Sequence, residues 1–169
     1  MKSICSLILL ACLPLCALGA DTYLVWVEES SDGKALADPA PSKAGLMSLL
    51  FARGHILFDL GAQKVPLDWE GRDFSAALSA ARSIEADFLA AAQVRAQTTP
   101  APQKAPLVTA AARYVLLQTK TGALLAEGRV SLDNREREKE LPYGKLLFRL
   151  GEAVAEALLA SRDKDANKL

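Results

Sequence analysis

Few side chains in this sequence have the type and spacing to do chemistry. His55 is the sole histidine, so a general base working near neutral pH would have to be its imidazole. It directly follows Gly54 and opens an apolar run, the setting of a hydrogen-bonded structural residue rather than a base. Asp68-Trp69-Glu70-Gly71-Arg72-Asp73 sets three carboxylates around a glycine, superficially a calcium loop. The glycine comes too early, however, the bidentate glutamate expected further on is absent, and Asp73 is wanted as a helix cap. Solvated loop carboxylates are the expectation, with no metal. Ser31-Asp32-Gly33-Lys34 lacks the spacing of a phosphate loop. Cys5, Cys12 and Cys16 are the only cysteines, so thiol catalysis and cysteine zinc sites are excluded from the chain beyond them. No catalytic residue and no cofactor is expected.

The cysteines belong instead to an address. Lys2, an apolar run from Ile4 to Leu18 and the small residues Ala17-Leu18-Gly19-Ala20 have the order of a secretory signal. The run is shorter than the roughly 20 residues a membrane-spanning helix needs, and Pro14 interrupts it. Residues 1–20 are therefore read as a signal peptide, cleaved near Gly19 or Ala20. Leu9-Leu10-Ala11-Cys12 also resembles a lipobox, and Leu13-Pro14-Leu15-Cys16 is a poorer match because Leu15 is large; Cys12 and Cys16 are thus candidate lipidation sites. The chain carries 20 basic and 20 acidic side chains, and losing Lys2 leaves a net charge of about −1. That balance points neither to nucleic acid nor to an anionic membrane face, and leaves a lipid anchor as the one membrane link.

The rest of the sequence must position whatever the protein presents. Thr22-Tyr23-Leu24-Val25-Trp26-Val27 is β-branched and aromatic and reads as a strand, followed by a loop over Glu28 to Ala40. Pro41-Ser42 offers a cap for a helix over Ala44 to Arg53, which Gly54 ends. His55 to Leu60 reads as a second strand joined by a parallel crossover. A second helix runs from Asp73 to Ala86, and Asp87 to Gln97 is a strand with Phe88, Ala90, Ala92 and Val94 on one face. Leu89, Ala91, Gln93 and Arg95 take its other face. After a Pro-rich loop over 98–106, Leu107 to Thr119 and Ala123 to Asp133 form a hairpin turned at Lys120-Thr121-Gly122. Leu141 to Ser161 is a last helix, and 162–169 is expected to fray. The fold class is α/β: residues 21–161 form one domain, a single mixed sheet of about five strands with about three helices packed on it.

Several short motifs stand in a telling order: Gly54-His55-Ile56-Leu57-Phe58-Asp59, the helix running into Ala86-Asp87-Phe88-Leu89, and the turn Lys120-Thr121-Gly122 returning to Gly128. This order resembles the bacterial envelope α/β domain of the penicillin-binding-protein activator LpoB, the curli secretion lipoprotein CsgG and the TolB N-terminal region. Glu85 stands where that group usually carries glycine. The resemblance implies a periplasmic or secreted non-catalytic domain, anchored if lipidated, that binds another envelope protein as an accessory or assembly factor.

The candidate contact surfaces are the loop 61–72, the Pro-rich loop and the outer strand edges. Trp69 either tucks onto the core or faces a partner as an anchor, and Tyr143, between Pro142 and Gly144, raises the same question. The alternative is a periplasmic small-ligand binder or hydrolase using the carboxylates around Asp59 and Asp68.

Overall fold

The computed structural model describes residues 20–35, 40–61, 67–100, 106–135 and 141–166, with side chains described as far as residue 162. The signal segment with Cys12 and Cys16 lies outside them. Nine elements follow in the order β1 (Thr22–Ser31), β2 (Lys34–Ala35), α1 (Pro41–Ala52), β3 (Ile56–Phe58), α2 (Ser75–Ser83), β4 (Phe88–Thr99), β5 (Leu107–Gln118), β6 (Leu124–Asp133) and α3 (Tyr143–Ala166). One mixed sheet of six strands runs β2-β1-β4-β5-β6, with β3 on the same side of β1 as β2. β3, β1 and β4 are parallel, whereas β4, β5 and β6 are antiparallel. The β1-α1-β3 unit is the expected parallel crossover.

The period-two patterns divide the sheet into two faces. On one, Tyr23, Val25, Ala90, Ala92, Val94, Tyr114 and Leu116 pack against Leu46 and Leu50 of α1 and Leu147, Leu150, Val154 and Leu158 of α3. On the other, Leu24, Trp26, Leu89, Ala91, Val115 and Leu117 pack against Ala77 and Ala81 of α2 and against Trp69 and Phe74. The alanines of β4 let helices lie close on both sides, as their size implies.

Several boundaries depart from the sequence reading. The expected loop from Glu28 is strand as far as Ser31, and Asp32 and Gly33, both at positive φ, turn the chain into the two-residue β2. The Ser-Asp-Gly-Lys segment is thus a hairpin turn of the Asp-Gly kind, and β2 is the strand beyond the five expected. Ser42 does not cap α1. It lies inside the helix, and the backbone N–H of Ser42 (3.0 Å) and its hydroxyl both donate to buried Glu29 of β1. A strand carboxylate therefore supplies the acceptor that a helix N-terminus needs.

α2 is shorter than expected, and Asp73 lies just before it, accepting from the Ser75 N–H at 2.9 Å. α3 continues past Ser161 into the segment expected to fray, where Arg162 pairs with Asp21 and donates to the Tyr23 hydroxyl at 3.1 Å. Gly54, at φ 85°, ends α1 as the sequence implies.

Candidate functional site: a charged cleft beside Trp69

α2 covers only part of its face of the sheet. Beyond it, the segment from Leu67 to Phe74 folds back onto Glu28, Gln93 and Arg113. Trp69 is 7% exposed, stacked edge-on against Phe74 with ring centroids 5.3 Å apart, and its Nε1 donates to Glu28 Oε2 at 2.9 Å. The same carboxylate accepts from the Leu67 N–H at 2.6 Å. Of its two expected settings, Trp69 takes the one on the core.

The guanidinium of Arg113 lies over the indole, 5.0 Å from the ring centroid. It also donates to Gln93 Oε1 at 3.0 Å and pairs with Glu70 at 2.8 Å. Arg72 pairs with Glu127 across the same opening. The result is a cleft of about 420 Å³ whose lining includes Trp69, Glu70, Arg72, Phe74, Arg113 and Arg129. Its charges are largely matched in pairs, and exposed pairs of this kind contribute little each, of order 0–1 kcal/mol.

The loop carboxylates serve the backbone. Asp68 accepts from the Gly71 N–H at 2.8 Å, and its carbonyl accepts from the Asp73 N–H at 2.9 Å, closing a turn in which Arg72 takes φ 58°. The hydroxyl and backbone N–H of Ser75 hold the Asp73 carboxyl below its ordinary pKa. Asp59 binds Lys43 Nζ at 2.6 Å and accepts from the Gly61 N–H at 3.1 Å. Asp59 and Asp68 thus have separate partners, and neither lines the cleft. His55 packs edge-on against Tyr23 at 5.0 Å between centroids, with Nδ1 3.8 Å from the Asp21 carboxylate.

Tyr143 is half-buried at the start of α3. Its hydroxyl is buried and has no hydrogen-bond partner among the described residues, and it lines an open hollow with Pro106, Val108, Asn134 and Leu141. Asn134 clips this corner together, accepting from the Val108 N–H at 3.1 Å and donating to the Pro106 carbonyl at 3.0 Å.

Sequence reasoning found Trp69 but missed Glu28, Arg113 and Arg129. The register pairs Gln93 with Arg113 and Arg113 with Arg129. Aligning the polar members of the three alternations would have exposed that row.

No protein-family model and no curated protein sequence matches this chain. Its likeness to other proteins lies in the fold. The chain is similar to PelC from Paraburkholderia phytofirmans, a dodecamer, with 16% identity and a TM-score of 0.55 over 83% of this chain and 87% of that one. It is similar to the hypothetical protein CT253 from Chlamydia trachomatis, with 13% identity and a TM-score of 0.51 over 82% and 96%. The expected likeness to the LpoB C-terminal domain is also present in the Salmonella enterica structure, at 17% identity and a TM-score of 0.39 over 67% and 82%. With PelC and CT253, at 16% and 13% identity, the fold is what is shared.

Proposed function

We propose that this chain is an exported accessory protein of the bacterial envelope that works by holding another envelope protein, without catalysis. The observation that carries the reading is β6. It is a ten-residue strand that, among the described residues, pairs with β5 alone, so its outer N–H and C=O groups stand unused. A long open edge invites pairing with another chain, and strand addition supplies main-chain hydrogen bonds at once. The signal-like N-terminus supports export. The paired charges of the cleft and the structural duties of Asp59, Asp68 and His55 support a binding role over a hydrolytic one.

A photo-crosslinking residue at exposed Ser131 of β6, with exposed Ser79 of α2 as the control, tests the reading in the native cells. A single recurring envelope protein captured from Ser131 and not from Ser79 supports it. Capture of a second copy of this chain would instead favour self-assembly through the same edge, a reading the PelC dodecamer also favours. Equal or absent capture at the two positions sinks the edge as the binding element.

A further inference from the structure

All three helices and the first strand bring their ends to one end of the sheet. Thr22 is in register with Ile56, and its N–H and hydroxyl donate to Asp87 just before β4; the Thr119 N–H donates to the Asp87 carbonyl, and Leu124 pairs with Leu117. Arg53 closes α1, Arg82 lies in the last turn of α2, and Arg162 of α3 reaches Asp21.

The large hydrophobic side chains exposed among the described residues are Phe51 at 73%, Ile56 at 50%, Leu124 at 43% and Phe58 at 36%. The first three belong to this end, Phe51 on the last turn of α1, Ile56 opening β3 and Leu124 opening β6. Single exposed apolar residues need no explanation, but their gathering at one end does. Ile56 and Leu124 are separated by four strand spacings, about 20 Å. That breadth suits a flat partner and not a pocket ligand.

We propose that this end of the domain lies against a phospholipid bilayer, with Phe51, Ile56 and Leu124 entering the interface and Arg53, Arg82 and Lys120 meeting lipid phosphate. Two observations select a bilayer over other flat surfaces. Ala20 and Asp21 lie here, with the Asp21 carbonyl accepting from the Ile56 N–H at 3.0 Å, so any stretch retained before Ala20 leaves the domain at this end. A lipid on Cys12 or Cys16 would bring the membrane to the same place.

The charge also fits. Arg53, Arg82 and Lys120 are exposed, whereas Asp21 is engaged by Arg162 and Asp87 by Thr22, leaving Glu85 as the exposed acid of this end among the residues whose side chains are described. Basic side chains beside apolar ones are the composition of an interfacial surface. Arg82 Nε donates to the Thr119 carbonyl at 2.9 Å, which fixes that guanidinium at this end of the sheet. The inference is independent of the β6 edge.

The test places a tryptophan reporter in the full chain at each end and measures quenching by brominated lipids in vesicles of phosphatidylglycerol and phosphatidylethanolamine, with the parent signal of Trp26 and Trp69 subtracted. Phe51→Trp and Leu124→Trp are expected to be quenched about threefold or more beyond Gln97→Trp, an exposed position at the opposite end of β4. The paired substitution Phe51→Ser and Ile56→Ser should weaken vesicle binding by about tenfold at unchanged thermal stability. Equal quenching at the two ends overturns the proposal. So does a self-association, seen without vesicles, that Phe51→Ser abolishes, because the patch would then belong to a second copy.

Discussion

Gly45 of α1 and Gly151 of α3 occupy the same helix crossing. A Cβ on Gly45 would overlap the carbonyl oxygen of Phe148, and one on Gly151 would overlap the carbonyl oxygen of Ser42. The two helices therefore meet main chain to main chain, which is how both fit over one face of an alanine-rich sheet.

Helix propensity alone favours alanine over glycine by about 1 kcal/mol, so the expected sign at this crossing is a sharp test. Gly151→Ala should lower stability by roughly 2–3 kcal/mol through overpacking against a backbone that cannot step aside. Gly144→Ala near the start of α3, where a Cβ meets nothing, should be neutral or slightly stabilising. Urea denaturation of the two variants decides it.

Glu85 has φ 57°, in the left-handed region, in the turn between α2 and β4. The envelope domains that the sequence resembles usually carry glycine here, the residue that takes this region without steric cost. Glu85→Gly is expected to raise stability by about 1 kcal/mol, since the strain of a Cβ in that region exceeds the entropy glycine adds to the unfolded chain. A fall in the denaturation midpoint would show that the strain is absent.

Asp87 and Thr22 bond reciprocally. The backbone N–H of Thr22 (3.0 Å) and its hydroxyl (2.8 Å) donate to Asp87 Oδ2, and the Asp87 N–H donates to Thr22 Oγ1 at 2.8 Å. The Thr22 N–H and then its hydroxyl hold the Asp87 carboxyl below its ordinary value, with a smaller contribution from Lys120. A depressed carboxyl stabilises the fold above its unfolded value of about 3.9, and that contribution disappears as the pH falls through the lower folded value. Unfolding midpoints followed from pH 6 down to pH 3 should show a flatter acid limb in Asp87→Asn than in the parent. An unchanged slope would mean that other carboxyls carry the acid sensitivity.

For Trp69, the hydrogen bond to Glu28 and the stacking on Phe74 make the indole part of the core. Trp69→Ala should cost roughly 3–4 kcal/mol, and Trp69→Phe, which keeps most of the volume but removes one of the hydrogen bonds Glu28 accepts, about 1–2 kcal/mol. If thermal stability survived Trp69→Ala while partner capture was lost, the indole would be an anchor after all.

What the sequence made legible was short in range. The alternation of Ala90, Ala92 and Val94 against Leu89, Ala91 and Gln93 named both faces of β4, and Gly54 marked the end of α1. What escaped depended on groups far along the chain. Glu29 reads as loop because glutamate belongs in water, yet it is buried where Ser42 and the start of α1 meet it. The setting of Trp69 follows from a carboxylate 41 residues earlier. Arg162 reads as tail, yet it closes on Asp21 from 141 residues away. The cleft arises only once Gln93, Arg113 and Arg129 come into register, a property of three strands together.

The place of β1 governs when the domain can exist. It is the first strand to be made, yet it is an interior one, and its long parallel pairing is with β4, residues 65 positions later. The meander β4-β5-β6 can close through local turns, while β1 must wait for Ala96 to emerge before its ladder is whole. Long-range parallel pairing of this kind is slow to form because its loop entropy is spent before its contacts are made. A nascent chain halted short of β4 would therefore remain unfolded, and only a chain that has passed β4 could complete the sheet.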